Sequence, residues 1–333
     1  MASPAPRIAP TIIGLEPNCP RDSSQSCNRH YDDRTLIVTK CLSFHAAYRC
    51  RHSGACCRAG WTIPFDHGER ETVHALRLRG SIASDGVAAR HEDGTCTFFD
   101  GVSHLCAIHH AAGQAALPLS CRMFPRVVLH DARGTFISLS HFCPTAAGLL
   151  FAHDDSWLPT NIVDAPSALT DVGPLDGLDA RDAWPPLLRP GVLMDLDSYG
   201  AWERLGVDLL TRDGIAADVS LDTLAAVTAR IVPWSPGGAT PLLHSVREAF
   251  SGPAPPTAGP TPRAATIDAH EPAVKRWLAA RLFGNWIAYQ GDGLDAIVRY
   301  LRGCLAIFAA ELARDGQPLE AVRRSDLQIV HKA

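Results

Sequence analysis

The sequence predicts an α+β fold that is predominantly helical: a cysteine-rich metal-binding region with a small β-hairpin, followed by a helical C-terminal part. Three observations predict it. Seven of the eleven cysteines lie between residues 50 and 143. The stretch RVVLHDARGTFISLS, residues 126–140, has strand composition on both sides of a turn at 131–134. Beyond residue 195, apolar residues recur at helical spacing between well-placed caps.

Along the chain, residues 1–34 are rich in Pro, Ser, Arg and Asp without periodicity, and read as a disordered arm. Residues 35–153 form the cysteine-rich region. There Asp66 is placed to cap a helix over 67–79, and Trp61 reads as core packing. Phe124-Pro125 fixes the chain's entry into the hairpin. Pro144 suits the first turn of a helix over 144–153. Residues 154–333 form the helical region, which opens with a loop-like stretch over 154–195 broken by Pro159, Pro166, Pro174, Pro185 and Pro186. Asp197 and Ser220 are read as caps for helices over 198–212 and 221–231. A Pro-rich link near 251–264 precedes a helix over 271–289. The last helix takes Asp292 as its cap, with Leu294, Ile297, Val298, Leu301, Leu305 and Phe308 as its packing stripe.

With 333 residues, 46% of them apolar, the chain can build one large domain or two small ones. The formal net charge of -4 argues against a general nucleic-acid binder. No apolar run reaches the roughly 18 residues that a membrane span needs. The first residues lack the charged start and apolar stretch of a secretory signal. The expectation is a cytoplasmic protein with reduced thiols, binding neither nucleic acid nor membrane.

In that setting, clustered cysteines point to metal or redox chemistry rather than disulfides. The spacing is Cys50-x5-Cys56-Cys57, then Cys96-x9-Cys106-x14-Cys121-x21-Cys143. It is neither a zinc ribbon nor a ferredoxin run. These seven are the candidate metal ligands, and Cys121 beside Arg122 is the strongest of the downstream four. Cys19, Cys27, Cys41 and Cys304 lie apart, and Cys41 is expected to be a packing cysteine. Adjacent residues point in different directions, so Cys56 and Cys57 have different roles. Gly54 and Gly60 let the backbone bend around them. Several thiolates held together repel, and a metal supplies the compensating charge, with Arg51, Arg58, Arg122 and Arg126 placed in sequence to add more. Arg122 is the candidate cofactor contact, pairing with a carboxylate or donating to cluster sulfurs. His109 and His110 read as surface residues. The competing reading of the cysteines is a set of buried free thiols acting as small hydrophobes.

Cys50-Arg-His-Ser53-Gly-Ala-Cys56-Cys57 resembles the signature of the CxxCxxCC cysteine-cluster family of zinc- or iron-chelating proteins, and most closely the flagellin lysine N-methylases within it. The flanking pieces that match are Gly60-Trp61-x-Ile63-x-x-Asp66, Cys96-x-Phe98-Phe99, Leu105-Cys106-Ala-Ile108-His109, Cys121-Arg122-x-Phe124-Pro125-Arg126 and Cys143-Pro144. Ser53 stands where the signature has its second cysteine, so downstream cysteines must complete any site. The resemblance implies an iron–sulfur cluster, or alternatively zinc. It also implies methyl transfer from S-adenosylmethionine to lysines of a flagellin-like protein partner. The rival function is non-catalytic storage, delivery or sensing of the metal. A GxGxxG loop following a strand is absent from the sequence, so a Rossmann-type cofactor site is not expected.

Overall fold

The computed structural model describes residues 38–152, 160–252 and 270–331. The arm expected over 1–34 and most of the Pro-rich link lie outside the described residues, as do Cys19 and Cys27.

The strands are β1 (Thr39–Leu42), β2 (Phe99–Asp100), β3 (Leu105–Cys106), β4 (Arg126–Asp131), β5 (Gly134–Leu139), β6 (Ile162–Asp164), β7 (Leu178–Asp179), β8 (Leu187–Arg189) and β9 (Val192–Leu193). The predicted hairpin is β4–β5. It does not stand alone: a five-stranded sheet runs in the order β6-β1-β5-β4-β7, with β1 parallel to β5 and β7 parallel to β4. Neither β1 nor β7 was foreseeable, because a four-residue and a two-residue strand carry too few side chains to show a period of two.

This sheet separates the two halves of the molecule. Successive side chains of a strand face opposite ways. Leu42, Leu129 and Phe136 point into a core of helices built around the fully buried Trp202 and Trp277. Their neighbours Cys41, Val128 and Ile137 point into a second core with Tyr48, Phe124 and Cys143. A third, smaller core holds Cys57, Cys96 and Cys106 among Ile63, Phe65, Phe98 and Ile108.

The four helices expected in the helical half are present with shifted ends, and a helix that was not expected, Leu242–Ser251, lies among them. Asp195, not Asp197, caps Leu196–Thr211, its carboxylate accepting from the Ser198 N–H at 2.8 Å. The next helix begins at Ala217, so Ser220 lies inside it, fully buried. The first N–H of that helix, on Ala217, is taken by the Glu271 carboxylate of a different helix, a cap no local reading can find. The helix Leu294–Asp315 starts after Gly293 rather than at Asp292. A Cβ on Gly293 would sit 2.7 Å from Arg189 Cα, so the close approach of β8 decides the start. The helix expected over 271–289 ends at Leu282 and resumes as a 3-10 turn, Trp286–Tyr289. A further helix, Pro318–Asp326, follows the one expected to be last.

That terminal helix joins the halves. Asp326, with no solvent exposure, accepts from the Trp277 indole at 3.0 Å and from the backbone N–H of His141 at 2.5 Å. Arg281 lies 3.5 Å away. His141 in turn meets His45 of the cysteine half, Nε2 to Nε2 at 3.2 Å. No helix among the described residues is long and apolar enough to cross a membrane.

Candidate metal centre

Four segments bring cysteines to one place. The first is the short helix Ala55–Arg58, entered through Gly54 at φ +64°. The Cys57 N–H donates to Gly54 O at 3.1 Å, and the Trp61 indole donates to Cys56 O at 2.9 Å, fixing both ends of the Cys56–Cys57 pair. The second segment is tied to the first, since Cys96 N–H donates to Cys57 O at 2.9 Å. Cys106 ends β3, paired with Phe99 of β2, and caps the helix Ala107–Ala112. Cys121 sits in the turn Leu119–Met123. Asp66 caps His67–Ala75 as expected, in a reciprocal capping box with Glu69. The other Glu69 oxygen accepts from Leu119 N–H at 2.8 Å and lies 3.5 Å from Arg122, so the cap also anchors the Cys121 turn. That helix stops at Ala75, short of residue 79.

Gly54 is irreplaceable here for two reasons. Its left-handed backbone disfavours any side chain, and a Cβ would stand 2.6 Å from His104 O and 2.6 Å from Phe99 Cε2. Gly54→Ala is expected to cost about 2–4 kcal/mol, from backbone strain plus overpacking. Gly60 has φ +77° and open space around it. Gly60→Ala is expected to cost only about 1 kcal/mol from strain. Thermal melting of the two variants is the measurement, and equal losses would place the constraint elsewhere.

Cys56, Cys57, Cys96, Cys106 and Cys121 form one interacting set. Cys106, Cys56 and Cys96 together with burial push the Cys57 thiol far above its ordinary range. The same contact with Cys57 draws Cys106 down to about 7, helped by the backbone N–H groups of His109 and Ile108. It also lowers Cys96. Burial, then repulsion from Cys56, Cys106 and Cys96, holds Cys121 up. Negative charge is thus favoured on some of these sulfurs and opposed on others, as mutual repulsion among crowded thiols requires. Among the described residues, no three Cys, His, Asp or Glu side chains are already closed around a point that could hold an ion. The donor set itself, five soft sulfurs on fixed turns, fits zinc or iron.

The structure does not bring all seven expected ligands together. Cys50 and Cys143 are grouped around Tyr48, whose hydroxyl is 3.9 Å from Cys143 Sγ. Both groups line one cavity of about 470 Å³, which Cys56, Cys106 and Cys121 border together with Cys50 and Cys143. Ser53 lines it too. Arg122 does not, and pairs instead with Glu69. Arg126 is bound to the carbonyls of Leu169 and Ala168, and its guanidinium lies over the Tyr48 ring. Cys41 is fully buried in β1, and burial pushes its thiol up to about 12. Sequence reasoning passed over Tyr48 and His52 as wall residues; the Cys50-x-His52 spacing was the available signal.

The thiols of the cavity fall within a single stretch of chain with a family match. Residues 49–144 match the CxxCxxCC family model, described as a "Putative zinc- or iron-chelating domain". All seven expected ligands lie inside that stretch. No curated protein and no solved structure matches the chain.

Proposed function

We propose that this protein holds an iron–sulfur centre on Cys56, Cys57, Cys96, Cys106 and Cys121 at the wall of the cavity. The observation that carries the reading is that five thiols from four separate segments meet at one site, three of them bordering the cavity. Five sulfurs suffice for the four cysteine ligands of a cluster, and their spacing is not that of a zinc ribbon. Bound there, iron and sulfide would supply Lewis-acid or one-electron chemistry at the cavity wall. The chain's own part is to hold Cys57 and Cys96 in the core, to present Cys56, Cys106 and Cys121, and to keep water from the inner sulfurs with Ile63, Phe98 and Ile108.

The cavity favours an enzyme over a carrier, since storage of a metal needs no space beside it. The sequence resemblance supports methyl transfer from S-adenosylmethionine to a lysine of a flagellin-like partner as its activity. Protein purified without oxygen is expected to be brown, with iron and acid-labile sulfide in near-equal amounts. Colourless protein with one zinc per chain would reverse the choice of metal. Labelled S-adenosylmethionine and a lysine-rich protein then test the transfer separately.

A further inference from the structure

The cavity also carries donors that the five-thiol centre does not use. We infer that Cys50, His52 and His109 form a second, mixed sulfur–nitrogen site that takes a divalent cation of borderline softness, zinc. Cys50 Sγ lies 3.9 Å from His52 Nδ1, and the same His52 Nδ1 lies 2.9 Å from His109 Nδ1. One nitrogen is therefore common to both contacts, and the other two donor atoms gather about it. Two nitrogens and a sulfur at ordinary zinc distances in a tetrahedron stand about 3.3 Å (N to N) and about 3.6 Å (S to N) apart. The two separations measured from His52 Nδ1 fall within about 0.4 Å of these, one on either side.

The surroundings suit a site that closes on its ion. His109 is half-buried on the helix Ala107–Ala112, immediately after the β2–β3 pairing, and supplies a fixed nitrogen. Cys50 and His52 are exposed on the loop before Gly54, free to turn toward it. The triangle is not closed in advance among the described residues, so binding would bring Cys50 in. His52 holds φ +56°, a left-handed conformation that non-glycine residues avoid and that recurs at functional sites. That backbone turns its ring toward His109, with centroids 3.9 Å apart and planes at 77°. A hydrogen bond between two imidazoles uses one lone pair, whereas a cation would use both. All three residues line the cavity, so the fourth position is left to water or a small oxygen donor inside it. Three protein ligands with one open position is the arrangement of zinc that acts on a ligand rather than holding a fold.

The inference does not depend on which metal the five thiols hold. Its test uses the full-length protein purified without oxygen, titrated with Co2+ as a spectroscopic substitute for zinc, with iron counted in parallel. The wild type is expected to take up one Co2+ in addition to its resident metal, with sulfur-to-cobalt charge-transfer absorption. His52→Ala and His109→Ala should each weaken that uptake by about a hundredfold and leave iron and circular dichroism unchanged. Cys50→Ser, at an exposed position, should remove the charge-transfer absorption. Cys121→Ser should lose the resident metal and keep the Co2+ site. Absence of Co2+ uptake by the wild type would overturn the inference. So would unchanged uptake in both histidine variants, or loss of iron along with it. If the protein contains no iron, the histidine variants still decide this site while the first reading fails alone.

Discussion

Asp326→Ala is expected to destabilise the protein by about 3–5 kcal/mol, more than any single surface change. The carboxylate is wholly buried and serves three partners on two segments: the Trp277 indole and the Arg281 guanidinium of the helix Glu271–Leu282, and the His141 backbone N–H. Removing it leaves a buried N–H without an acceptor and a buried cation without its counter-charge. Asp326→Asn keeps the shape and one acceptor oxygen, and should cost less, about 1–3 kcal/mol. The two costs are read from urea unfolding followed by circular dichroism. The site of damage is also foreseeable. His141 stands two residues before Cys143, so the variant should loosen the segment that brings Cys143 to the cavity. Losses below about 1 kcal/mol in both variants would mean that the terminal helix docks by its apolar face alone.

That joint marks where sequence reasoning stops. The strand composition of β4 and β5 about their turn, the Asp66 cap and Pro144 at the start of Pro144–Phe151 were legible, because each is a local signal between residues a few positions apart. The clustering of cysteines was equally legible. What was not legible is everything fixed across long separations. The Ala217 helix is capped by Glu271, and the Gly293 start is set by contact with Arg189. The division of seven cysteines into a group of five and a pair around Tyr48 belongs to the same class. Spacing alone cannot assign Cys50 and Cys143 to a group around Tyr48, because that depends on how Tyr48 enters the sheet-side core. The His52–His109 contact spans 57 positions and leaves no trace in local pattern.

The largest expected effect concerns the thiols themselves. Cys57→Ser and Cys121→Ser should each strip the protein of most of its resident metal, while Cys41→Ser should load normally. Cys57 lies at the centre of the five, exchanging influence with Cys106, Cys56 and Cys96. Cys121 completes the set on the side of the Glu69-anchored turn. A serine hydroxyl at either place keeps its proton at neutral pH and is a poor ligand for a soft metal. Cys41 differs in every respect that matters. It sits in the central strand β1, opposite Ile137 on one side and Val163 on the other, with no exposure. Burial, with Asp164 nearby, holds its thiol up to about 12, so it offers no thiolate. The cost of Cys41→Ser should appear instead in folding, as about 1–3 kcal/mol for a buried hydroxyl without a partner. Iron per chain and unfolding midpoint, measured on the same three variants, should therefore move in opposite order. Low iron in Cys41→Ser with normal iron in Cys121→Ser would mean that a sheet cysteine has taken the place left by Ser53, and the five-thiol assignment would fall.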